Sequence, residues 1–119
     1  MSRTIITNSG SEFFTNVSSE QTIGILCKIS GAKHHIDSFA SYTEEEVKHH
    51  FDISMPYDVT EEEANEIAKK LLTLIPKAEE VFPEVRRRFS KQTTVEDFKL
   101  WIQSVADDFK KSKGYTCAS

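Results

Sequence analysis

Pro56-Tyr57-Asp58-Val59-Thr60-Glu61-Glu62-Glu63-Ala64, residues 56–64, is where this chain changes character. Pro56 has no amide hydrogen to give to a sheet ladder, so it ends any strand that precedes it. Thr60 opens a helix well, because its hydroxyl can accept from the first turn and Glu63 stands at the capping-box position. Glu61, Glu62 and Glu63 also favour the positive N-terminal end of a helix. Before this stretch, β-branched and aromatic residues mix with Ser, Thr and Gly; after it, Glu, Lys, Ala and Leu dominate. The boundary predicts an α+β fold: an N-terminal antiparallel β-meander of about five strands over 1–56, packed against two or three C-terminal helices over 60–113. Residues 114–119 are expected to form a flexible tail. With 119 residues, no repeat and no low-complexity linker, a single domain is expected.

Working back from Pro56, Val47, His49, Phe51, Ile53 and Met55 alternate with Lys48, His50, Asp52 and Ser54. That is the period of a half-buried strand. Thr43-Glu44-Glu45-Glu46 resembles a capping box, but a helix from there would scatter Phe51 and Ile53 around its circumference, so the strand is preferred. His34 to Tyr42 is read as a further strand. Gln21 to Ser30 is another, because Ile23, Ile25, Cys27 and Ile29 alternate with polar or small residues. Glu12 to Val17, with Phe13 and Phe14, and Arg3 to Thr7 complete the meander, with Ser9-Gly10 as a turn signal.

Working forward, Ala64, Ile67, Ala68, Leu71, Leu72 and Ile75 recur at helical spacing, and Pro76 stops that helix. Ala78, Val81, Phe82, Val85 and Phe89 form a second stripe, which Pro83 should kink or split into two short turns. A last helix starts near Thr93 or Thr94 with Glu96 and Asp97 in its first turn. Val95, Phe98, Ile102, Val105 and Phe109 share one face, flanked by Trp101. Lys110, Lys111 and Lys113 complement its negative end, and Gly114 suits the C-cap.

Apolar residues are 38% and charged residues 29% of the chain, a globular balance that argues against disorder and against a membrane protein. No uninterrupted apolar run exceeds three residues, whereas a membrane span needs about 20. The first eight residues lack the apolar stretch of a secretion signal, so the expected location is cytoplasmic. Two cysteines are too few for a disulfide framework, and Cys27 reads as a small core residue. A net charge of −4 argues against broad nucleic-acid binding without excluding a local basic patch.

The histidines come as adjacent pairs, His34-His35 and His49-His50. Neighbours on a strand point to opposite faces, so neither pair can chelate as a unit, and surface or edge histidines are expected rather than a metal site. A site built from His49, Cys27 and an acidic residue is the alternative. Asp37 and Asp52 sit in apolar-rich strands. Buried there, either could serve as a base with a raised pKa; facing solvent, either is an ordinary polar-face residue. No nucleophile elbow and no Gly-rich phosphate loop is present, so no catalytic residue and no cofactor is assigned. Arg86, Arg87 and Arg88, extended by Lys91, form the only dense basic cluster. On a helix three consecutive residues span about 200°, so they cannot all point one way, although Arg87 and Lys91 would align. They are either a patch for phosphate or an acidic partner, or a solvated helix face.

These features lead to a non-enzymatic protein that binds and masks or modulates a macromolecular partner, in the manner of an inhibitor, immunity protein or adaptor. The partner is expected to be another protein. Contact is expected at an uncovered sheet face and the acidic turns, through Glu44, Glu45, Glu46, Asp52, His50 and Phe14. A homodimer through the open sheet face is a related expectation. One alternative is a small-ligand or enzymatic site between sheet and helices, using Asp37, Asp52, His35 and His49. Another is nucleic-acid binding through Arg86, Arg87, Arg88 and Lys91.

Overall fold

A computed structural model of the chain describes residues 4–13, 17–32 and 57–118. In chain order these form strand β1 (Thr4–Thr7), helix α1 (Val17–Ser30), strand β2 (Tyr57–Val59), helix α2 (Glu61–Leu72), helix α3 (Ala78–Val85), helix α4 (Val95–Ser112) and strand β3 (Tyr115–Ala118). The expected strands at 34–42 and 46–55 lie outside the described residues.

The α+β class holds, but the sheet is not an N-terminal meander. Among the described residues it has three antiparallel strands in the order β1-β3-β2, drawn from the first, middle and last parts of the sequence. Thr7, Tyr115 and Val59 are cross-strand partners, and so are Ile6, Thr116 and Asp58. Tyr115–Ala118, within the expected flexible tail, supply the central strand. The reason lies at the end of α4, where Lys113 turns left-handed at φ 56° and Gly114 follows at φ 94°. That double reversal sends Tyr115 back beneath the helices. Gly114 is required there. A Cβ on it would stand 2.6 Å from the Val59 carbonyl oxygen and 2.9 Å from the Glu61 nitrogen, so α4, β2 and α2 meet at one point.

Residues 8 and 9 fasten the same corner. The last carbonyls of a helix lack intrahelical partners. The Asn8 side-chain amide donates to the Lys113 carbonyl at 3.0 Å, and the Ser9 hydroxyl donates to that of Lys111 at 2.5 Å. The backbone amides of Asn8 and Ser9 donate to the carbonyls of Gly114 and Ser112.

The expected strand over 21–30 is a correction: those residues lie in helix α1. Thr22, Ile23, Leu26 and Cys27 are the buried set, a helical 3,4 spacing concealed inside the alternating isoleucines. Ile29, expected inward, is 43% exposed. The helix ends in a Schellman turn: Gly31 takes φ 84° and the Ala32 amide donates to the Cys27 carbonyl at 2.9 Å. The expected strand over 12–17 also fails in its described part. Glu12 and Phe13 lie in no strand, and Val17 begins α1.

The helical half follows its pattern. Thr60 and Glu63 close a reciprocal capping box on α2, and Thr94 and Asp97 close one on α4. Pro76 falls in a 3-10 turn (Ile75–Lys77) after α2, and α3 with its Pro83 passes into a second 3-10 turn (Arg86–Arg88). Ala64, Ile67, Leu71, Val85, Phe98 and Ile102 meet in the core, with Phe82 stacked on Phe98 at 4.7 Å between ring centres. At the sheet, Phe13 packs edge-on against Phe109 and stacks on Tyr115. No helix among the described residues is long and apolar enough to cross a membrane.

Candidate functional site

The expected contact residues Phe14, Glu44, Glu45, Glu46, His50 and Asp52 lie outside the described residues, as do His34, His35, Asp37 and His49. The candidate surfaces that can be built are therefore the arginine turn, the outer face of the sheet and the groove between α2 and α4.

The arginines divide by role. Arg86 folds back on the loop that follows it. Its guanidinium donates to the carbonyls of Ser90 and Lys91, both at 2.8 Å, and lies 5.1 Å from the centre of the Phe82 ring. That geometry staples the Arg86–Lys91 loop to α3. It leaves Arg87 and Lys91 as the exposed cations and Arg88 half-buried. The helical alignment of Arg87 with Lys91 does not occur, because the backbone is extended at Phe89 (φ −116°, ψ 161°). Phe89 packs edge-on against Trp101 and Phe98, so the aromatic side of this loop faces inward.

The outer face of the sheet is the second surface. Side chains alternate along a strand. Val59 and Tyr115 are buried toward the helices, so Ile6, Thr116 and Asp58 stand in a row on the other side. Ile6 is 62% exposed. Thr116 donates its hydroxyl to the Asp58 carboxylate at 2.6 Å across the β2–β3 pair. Thr116 of the central strand therefore stands between Ile6 and the Asp58 carboxylate. None of these three residues was singled out from sequence. The signal was present in Ile5-Ile6: two adjacent isoleucines in a strand cannot both face the core, the reasoning already applied to the histidine pairs.

Between sheet and helices, Phe13, Phe109 and Tyr115 pack against one another. Among the described residues no group of three or more His, Cys, Asp or Glu is placed to hold a metal ion. Cys27 is fully buried in α1. Among the described carboxylates, half-buried Asp108 on α4 has a raised pKa. Burial is the main cause; Asp107 adds to it and Lys111 opposes it.

The groove between α2 and α4 is lined by Asn65, Ala68, Lys69, Leu72, Thr73 and Lys110. Ala68 lies on the buried side of α2, and its small side chain leaves room above it. Leu72 was expected on the core stripe, but it is 37% exposed beside this groove.

No protein-family model, no curated protein and no solved structure matches the chain.

Proposed function

We propose that this chain is a non-enzymatic binding protein that docks on another protein and masks or modulates it, as an adaptor or inhibitor in the cytoplasm. The observation that carries the reading is Ile6, a large apolar side chain held 62% exposed on the outer face of the sheet. Covering such a side chain is worth about 1.5–3 kcal/mol to an association. The Asp58–Thr116 pair beside it supplies polar groups at fixed positions, the mixture typical of a contact patch with a polar rim. Among the described residues β1 pairs only with β3, so its other edge can also accept an added strand.

The test is co-purification of tagged wild-type chain and an Ile6→Glu variant from the same cells. A partner recovered in stoichiometric amount with the wild type and lost with the variant supports the reading. Equal recovery with both, or no partner with either, overturns it. Sedimentation of the purified chain checks the homodimeric form of the same contact, which Ile6→Glu should dissociate.

A further inference from the structure

The geometry points to the groove between α2 and α4 as a binding site for a short acidic segment of a partner protein, one that carries an apolar side chain between carboxylates. The groove shares no residue with the outer sheet face, so it stands or falls independently of Ile6.

Its volume is about 510 Å³, within the range of sites that take peptide-sized ligands. Its apolar surface comes from Ala68 and the partly exposed Leu72. Lys69 of α2 and Lys110 of α4 bring a cation from each side, and neither is in an ion pair with another described residue. That contrasts with Lys70 and Lys99, which have Glu66 and Glu96 as partners on their own helices. Asn65 adds a primary amide, whose donor and acceptor match one peptide unit of an incoming backbone. Thr73 is less available, since its hydroxyl already donates to the Lys70 carbonyl.

Charge complementarity selects the occupant. Two ammonium groups flanking an apolar floor fit an apolar side chain seated on Leu72 with carboxylates on either side. The net charge of −4 opposes an acidic ligand at a distance, but screening limits that repulsion to about 8 Å at physiological salt. A nucleic acid fits less well. Its affinity needs a run of cations along successive phosphates, and the described lining residues of the groove offer two, with no aromatic ring among them for base stacking.

The probe is the peptide acetyl-Asp-Glu-Leu-Glu-Asp-amide, titrated into the isotopically labelled full chain and followed by amide chemical shifts. Saturable shifts are expected at the Asn65 side-chain amide and along 65–73 and 106–112. Affinity should fall as salt rises. It should drop about tenfold for a peptide with Asn and Gln in place of Asp and Glu, and about tenfold or more for the Lys69→Glu/Lys110→Glu double variant. Both lysines are exposed, so the variant should keep the wild-type dispersion of resonances. If it does not, Leu72→Asn serves in its place and should weaken binding likewise. No shifts at millimolar peptide, shifts centred elsewhere, equal binding by the variants, or preference for a single-stranded oligonucleotide would each overturn the proposal.

Discussion

Arg86, Arg87 and Arg88 are adjacent and chemically identical, yet their surroundings give them different jobs. Arg86 spends its guanidinium on two carbonyls and the face of Phe82, while Arg87 lies in solvent. Arg86→Ala should therefore destabilise the fold by about 1–2 kcal/mol, through lost charge-assisted hydrogen bonds and a cation–π contact, and Arg87→Ala by less than about 0.5 kcal/mol. Urea denaturation of the two variants reads the difference. Helical angles alone showed that the three could not act together; which one turns inward depends on the carbonyls of Ser90 and Lys91, which no periodicity reveals. Asp108 makes a second case. Its pKa is raised in the fold, so the folded state holds this proton more tightly than the unfolded chain does. Its contribution is most favourable below the ordinary carboxylate range and declines as pH rises through that range to the raised folded value. Asp108→Asn should accordingly raise the melting temperature at pH 7 and leave it little changed near pH 3. A variant less stable than wild type at pH 7 would contradict this.

Among the elements, α2 and α4 were legible and α1 was not. The two legible helices carry capping boxes followed by unambiguous stripes, so local chemistry and burial agree. Thr60→Ala and Thr94→Ala should each cost about 1 kcal/mol, read as a lowered urea midpoint. In 17–30, isoleucines at 23, 25 and 29 with Cys27 satisfy a period of two, while Thr22, Ile23, Leu26 and Cys27 satisfy a helical period. Pattern alone does not separate the two when β-branched residues are dense. The deciding local signal is Gly31, whose positive φ ends the helix. Gly31 has a positive φ and open space where a Cβ would go, so Gly31→Ala tests backbone strain without steric clash. The expected loss is about 1 kcal/mol, with the helical circular-dichroism signal retained. Loss of the helix signal or an unchanged midpoint would count against the Schellman ending. The candidate contact residues divided the same way: Ile6 was recoverable from its neighbour Ile5, whereas the groove at Leu72 depends on how α2 and α4 approach each other.

At the scale of the whole molecule, the sheet is assembled from strands far apart in sequence, and this is what sequence reading could not reach. A strand's existence is a local pattern, but its partner is a long-range choice. β1 pairs with residues 115–118 rather than with the chain that follows it. The consequence is that the last residues hold the middle of the sheet. Without residues 114–118, β1 and β2 have no described bond to each other, Phe13 and Phe109 lose the Tyr115 ring, and the Asn8 bond to the Gly114 carbonyl disappears. Removing one buried aromatic side chain costs on the order of 3–5 kcal/mol, against a total of about 5–15 kcal/mol for a domain. A chain ending at Lys113 loses that side chain together with both strand pairings, and should not hold a cooperative fold at 25 °C. Tyr115→Ala, which keeps the backbone pairing, should remain folded with a much lowered urea midpoint. The expectation is a flat melting profile and collapsed amide dispersion for the truncation, beside a shifted but cooperative transition for Tyr115→Ala. A truncated chain that melts cooperatively near the wild-type temperature would show that the helices stand without the sheet, and that β3 is an appendage rather than its centre.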